Sequence, residues 1–175
     1  AASLGASRLL FTGTETGEKS YREANLWKEE SRWRRFLIDG LQQAGGTVQP
    51  EVSHARSVRE ALEAVSDSSV GRNERPGNTG VSSAPGASPQ ESEARLLLDN
   101  ETGSRRLAEL DLTGGNEAAP PDVLLAIGSE RGWTEAERKL FSDAGFVPVL
   151  LGSRILRTET ACAAGTALTL ARMGL

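Results

Sequence analysis

Apolar residues recur along this chain in two periods, and segments of the two kinds alternate. Trp33, Phe36, Leu37 and Leu41 fall at i, i+3, i+4 and i+8 and form one stripe, with Arg32, Arg34 and Arg35 mostly off it. The spacing predicts a helix over Ser31–Ala44, ended by Gly45-Gly46. Ser57-Val-Arg-Glu60 is a capping-box pattern and predicts a helix to about Val65. Thr134-Glu-Ala-Glu137 is a second box, opening a helix to Ala144 that stops at Gly145. Thr158–Met173 reads as a final helix, and Ala1–Ser7 as the end of one, with Gly5 as its stop.

Between these lie short apolar runs. Arg8–Thr12, Arg95–Asp99, Val123–Ile127 and Val147–Leu151 read as strands, and Val48–Val52 as a short one broken by Pro50. Val123–Ile127 is apolar throughout, the mark of a strand buried on both faces in a parallel sheet. Asn100–Pro121 is loop-rich, with a helical turn near Arg106–Leu110. Strands alternating with helices give an α/β domain with a mainly parallel sheet. Ser66–Ser92 is rich in Ser, Gly and Pro and nearly free of large apolar residues. It cannot bury enough to offset its ordering entropy, which predicts a disordered insertion.

Composition narrows the chemistry. The 175 residues suffice for one domain, and 38% hydrophobic with 25% charged residues is ordinary for a globular protein. No apolar run spans a bilayer, and the first residues lack the layout of a signal peptide. One cysteine and one histidine exclude an internal disulfide and any Cys- or His-rich metal site. Cys162, flanked by alanines, reads as a small core residue, and His54 as a solvated loop residue. The net charge of −4 argues against strong RNA affinity from this chain alone, though not against contact through a local patch.

Two runs carry the candidate chemistry: Leu125-Ala-Ile-Gly-Ser-Glu-Arg-Gly-Trp133 and Leu151-Gly-Ser-Arg-Ile-Leu-Arg-Thr-Glu-Thr-Ala161. Each starts as a strand, turns at glycine and leads toward a helix, where open α/β sheets bind ligands. The pair resembles the RsmE family, SPOUT-superfamily enzymes that methylate uracil N3 in small-subunit ribosomal RNA. That family's loops usually read G-P-E-G-G-F/W and L-G-x-R-I-L-R-x-E-T-A. The second is complete here. In the first, Ser129 replaces proline and Arg131 replaces glycine, and loss of the proline is expected to loosen the loop. Gln43, Pro50 and Val52 match a further family segment, in which Gly46 stands where arginine or aspartate is usual. Leu4-Gly5 and Glu18-Lys-Ser-Tyr21 add weaker matches. The likeness runs from Leu4 to the C-terminus apart from Ser66–Ser92. By it, the chain is a single SPOUT methyltransferase domain over residues 1–175, without the family's N-terminal β-barrel RNA-binding domain and first strand.

The resemblance implies a SPOUT-type sheet flanked by helices, closed by a C-terminal trefoil knot at Gly128–Trp133 and Gly152–Arg157. It implies S-adenosylmethionine as cofactor, held by Leu98, Ile127, Gly128, Glu130, Gly132, Leu151, Gly152, Ile155, Leu156 and Thr160. Arg154 and Arg157 would favour the uracil N3 anion, and Glu130 or Glu159 would take the proton or orient an arginine. It further implies a ribosomal RNA substrate, a homodimer and a cytoplasmic (or, in a eukaryote, organellar) setting, with no membrane and no metal. Two alternatives remain at this stage: a catalytically weakened protein that binds S-adenosylmethionine or RNA, and a SPOUT ribose 2′-O-methyltransferase.

Overall fold

The computed structural model describes residues 1–18, 29–70, 93–114 and 121–175. In chain order it forms strand β1 (Arg8–Thr12), helix α1 (Glu30–Ala44), β2 (Glu51–Ala55), α2 (Val58–Val70), β3 (Glu93–Leu98), β4 (Arg105–Arg106), β5 (Asp122–Ile127), α3 (Glu135–Asp143), β6 (Val147–Leu150) and α4 (Thr158–Met173). Every strand ladder among the described residues is parallel. The expected single sheet is divided in two. β1 pairs with β2, and a four-stranded sheet runs in the order β4-β6-β3-β5.

Strand β3 is the centre of the larger sheet and explains where the core sits. Successive strand residues face opposite sides. Leu97 accordingly joins Val58, Trp133, Phe141 and Phe146 in one apolar cluster, and Leu96 joins Leu107, Leu110, Leu112 and Val149 in another. In the first, the Trp133, Phe141 and Phe146 rings meet edge to face at centroid distances of 4.7 and 5.0 Å. In the second, Leu107 and Val149 are fully buried, and Leu168 and Met173 of α4 cover the outside. Gly165 lets α4 come close, because a Cβ there would lie 3.2 Å from Leu98 and Leu125.

Several expectations are corrected. The first residues form only a 3-10 turn, Ala2–Leu4, closed by Gly5 with φ 80°. β2 begins after Pro50 rather than at Val48, since proline has no N–H to give a ladder, and Val48 is 81% exposed. His54, expected in a loop, is an exposed residue of β2. The α1 stripe is realised at Leu41, but Phe36 is 64% exposed. α2 continues past Val65 to Val70, and Ser66 Oγ donates to the Leu62 carbonyl at 2.9 Å. The front of the supposed insertion is therefore helical, and its residues 71–92 lie outside those described. The turn near Arg106 is 3-10, Leu107–Glu109. It follows β4, whose two exposed arginines give no apolar period to read. Cys162 is half-buried, and burial pushes its thiol pKa up. No described helix is long and apolar enough to cross a membrane.

Candidate ligand pocket

A cavity of about 140 Å³ lies at the carboxyl ends of β3 and β5. The loops following β3, β5 and β6 form its wall. Of the residues singled out in the sequence, Leu98, Ile127, Gly128, Glu130, Gly132, Leu151, Arg154, Ile155 and Leu156 line it. Gly152, Arg157, Glu159 and Thr160 do not. Arg157 is the exposed residue just before α4, with no capping bond from its side chain, and Glu159 and Thr160 are exposed in the first turn. There Glu159 is the acidic residue of the first turn, at the positive end of the helix dipole.

The loop after β5 is a tight turn. Gly132 N–H donates to the Ser129 carbonyl at 2.9 Å, and Gly132 has φ 68°, a conformation that disfavours any side chain. Gly128 is required for space: a Cβ there would lie 3.0 Å from the Trp133 ring. That ring is buried beneath the loop, and its Nε1 donates to the Leu98 carbonyl at 3.0 Å. Trp133 thereby ties the end of β3 to the loop after β5. Despite serine in place of proline, the turn is closed on both sides. Thr16 Oγ1 donates to the Gly132 carbonyl at 2.8 Å and lies 3.3 Å from Ser129 Oγ.

Glu130 faces the start of α4. Its own backbone amide, then the Thr158 hydroxyl and amide, and the nearby Arg157 charge hold its carboxyl below the usual range. The Thr158 hydroxyl also reaches the Gly128 carbonyl at 3.2 Å. An ionised carboxylate beside orphan helix N–H groups is a capping arrangement supplied from another loop. Stabilising the anion makes Glu130 a weaker proton acceptor than an ordinary glutamate.

Residues 99–101 make a wall that the motifs did not announce. Asp99, Asn100 and Glu101 line the cavity, as do Ser129, Arg131, Trp133 and Ala161. Asp99 is buried, with Arg138 Nε at 2.8 Å, the Thr102 hydroxyl against it, and the Glu101 amide at 3.1 Å. Burial pushes its carboxyl up, but the bonds from Arg138, Thr102 and the Glu101 amide outweigh this and leave the pKa lowered. Arg138 also meets Glu101 at 2.9 Å. The signal in sequence was only a lone aspartate at a strand end and an arginine inside a helix. Nothing in local spacing pairs them across 39 positions. Among the described residues, no cluster of three or more His, Cys, Asp or Glu side chains could hold a metal.

Comparison with known proteins adds to this geometry. Residues 1–170 match the family described as an RNA methyltransferase domain. Ribosomal RNA small subunit methyltransferase E of Treponema pallidum is 39% identical over 171 residues, which cover 97% of this chain and 54% of that protein. Ribosomal RNA small subunit methyltransferase E 1 of Borreliella burgdorferi is 25% identical over 172 residues, covering 98% of this chain and 59% of that protein. A crystal structure of ribosomal RNA small subunit methyltransferase E from Neisseria gonorrhoeae, bound to S-adenosyl methionine, superposes with a TM-score of 0.66 at 25% identity. The match covers 97% of this chain and 56% of that one. The chain thus spans just over half the length of each of these relatives. The parallel α/β architecture, the pocket at the strand ends and the match over residues 1–170 agree: the chain belongs to the RNA methyltransferase domain family.

Proposed function

We propose that this domain binds S-adenosylmethionine in the pocket at the ends of β3 and β5 and methylates uridine N3 in small-subunit ribosomal RNA. The observation that carries the reading is that Gly128–Trp133 and the loop after β6, distant in sequence, form one cavity wall. Support also comes from the Treponema relative, named for a small-subunit ribosomal RNA methyltransferase, and from the cofactor in the Neisseria structure.

The wall suits the cofactor. Ile127, Leu151 and Leu156 offer apolar surface for a flat base, and the turn backbones offer N–H and C=O groups for its polar edges. Ile155 is 76% exposed at the rim, an apolar side chain that a bound ligand would cover. S-adenosylmethionine supplies a methyl group already activated on a sulfonium. What the protein adds is alignment and exclusion of water. Uracil N3 carries a proton at neutral pH, so the site must favour its anion, the proton passing to solvent water at the open rim before the methyl group moves from sulfur to N3. Arg154, in the wall, and Arg157, beside it, supply positive charge toward the uracil oxygens. Glu130 anchors the start of α4 and so fixes Arg157. Its depressed pKa suits that role better than proton acceptance. Glu159 serves the helix dipole.

The same reading includes the trefoil knot around Gly128–Trp133 and Gly152–Arg157, residues 1–175 as one SPOUT domain, and a homodimer in the cytoplasm. Exposed Phe36 on α1 and exposed Ala163, Ala164 and Ala167 on α4 are surfaces suited to pairing. Light scattering that returns a monomeric mass from folded protein would count against the dimer. Calorimetry with S-adenosylhomocysteine tests the pocket, and heat at micromolar to millimolar ligand is expected. Its absence from folded protein would remove the cofactor reading.

A further inference from the structure

The loop after β1 reaches across to the pocket, and nothing in the two motifs accounts for it. Gly13 N–H donates to the Ala55 carbonyl at 3.1 Å, which fixes the loop's start at the end of β2. Glu15 is then held twice at the start of α3. Its N–H donates to Glu137 Oε1 at 2.8 Å, and its carboxylate accepts from the Thr134 hydroxyl at 2.8 Å. Glu137 is 2% exposed, and its other oxygen accepts the Thr134 N–H at 2.9 Å in the capping box. One buried carboxylate thus serves both the helix start and the arriving loop. This anchoring delivers Thr16 to the pocket turn.

The proton directions at Thr16 follow from the partners. Its single hydroxyl proton goes to the Gly132 carbonyl at 2.8 Å, an acceptor only. The Ser129 hydroxyl, 3.3 Å away, must therefore be the donor to Thr16 Oγ1. Ser129 and Gly132 are the first and last residues of the turn that carries Glu130 and Arg131 into the cavity wall. Thr16 spans that turn from outside without lining the cavity.

We propose that Thr16 is a positioning residue for the ligand pocket: a hydroxyl relay from Ser129 through Thr16 to Gly132 holds the turn in shape. The inference rests on the reading of the pocket as the S-adenosylmethionine site. Proline at position 129 would restrain the turn through its fixed φ; serine has no such restraint, and the relay supplies one from a distant loop. It also makes pocket geometry depend on the loop after β1, which carries no cofactor motif.

The test uses the full chain and the variants Thr16→Val, Thr16→Ser, Ser129→Ala and the Thr16→Val/Ser129→Ala pair. Hydrogen exchange at the Gly132 amide reports the turn, and calorimetry with S-adenosylhomocysteine reports the pocket. Thr16→Val keeps the shape of the side chain and removes both bonds. It should speed exchange at Gly132 and weaken binding about three- to tenfold, the scale of one or two partly buried hydrogen bonds. Thr16→Ser keeps the hydroxyl and should match wild type in both readouts. Ser129→Ala should have a smaller effect, and the double variant should be no worse than Thr16→Val alone, because both substitutions cut the same relay. Unchanged exchange and binding in Thr16→Val, a serine variant as impaired as the valine one, or additive losses would each overturn the proposal. If wild-type protein gives no heat, the cofactor reading fails on its own, and exchange at Gly132 still decides the relay.

Discussion

The two sheets are held together in different ways. The four-stranded sheet contributes Leu96, Leu97 and Val149 to two dense apolar clusters, one on each face. The β1–β2 pair has only Ala55 buried among its ten residues, and Phe11 is 44% exposed. Its ties to the other half among the described residues include the packing of Val58 and Leu62 of α2 at a shared cluster and the hydrogen bonds of Glu15 and Thr16. The pocket lies wholly on the dense half. Rigid packing there sets where the wall stands, and polar contacts from the sparse half adjust one turn of it.

Truncating one leucine in each half should expose the contrast most strongly. Leu107→Ala, at a fully buried site, is expected to cost about 4 kcal/mol, whereas Leu10→Ala in half-buried β1 should cost about 1 kcal/mol. Urea unfolding measures both, and equal losses would erase the distinction. Asp99→Asn comes next, at about 3 kcal/mol, because it leaves Arg138 with a weakened partner in a largely buried position. The pH dependence has a definite sign. The Asp99 pKa is lowered on folding, so its contribution is fully present above the ordinary carboxylate range and is lost as pH falls through the depressed value. The gap between wild type and Asp99→Asn should stay constant from neutral pH to about pH 4 and close below that. A gap unchanged at still lower pH would show that the ion pair is not its source.

Chemistry should respond to the dense half in its own way. Under the proposed function, Arg157→Ala is expected to slow methyl transfer to ribosomal RNA about 100-fold, or about 2.7 kcal/mol, with little change in cofactor affinity. Equal losses in rate and affinity would give Arg157 a purely structural role. The smallest effect is expected of Trp133→Phe, which retains the ring packing and drops the bond to Leu98. It should cost about 1 kcal/mol by thermal melting. A neutral result would mean that the ring stack alone ties β3 to the loop.

What the sequence disclosed follows the same division. Thr134-Glu-Ala-Glu137 and Thr158–Met173 were legible because caps and helical periods are local, and the structure starts both helices where they indicate. The pocket loops were legible because strand, glycine and polar turn occur in order within a few residues, and eight of the residues drawn from them line the cavity. Asp99–Arg138 and Thr16–Ser129 were not legible. Each is a pair of common residue types on separate elements, joined only after the chain has folded. β4 was hidden for another reason: its two arginines pair at a sheet edge through backbone alone. The end of α2 was misjudged because serine and aspartate favour turns, yet Ser66 bonds back to Leu62 and the helix runs on.

The parallel ladders set the order in which this molecule can assemble. No pair of strands is joined by a hairpin, so no sheet contact among the described residues forms early and locally. The register nearest in sequence, Glu93 with Asp122, already spans a crossover, and β3 must then wait for β6, with Leu96 opposite Val147. Loop closure is completed before any of these ladders returns stability, which is expected to slow folding. The pocket, built where β3, β5 and β6 end, is therefore among the last parts to exist. A refolding experiment should recover helical signal well before it recovers ligand binding.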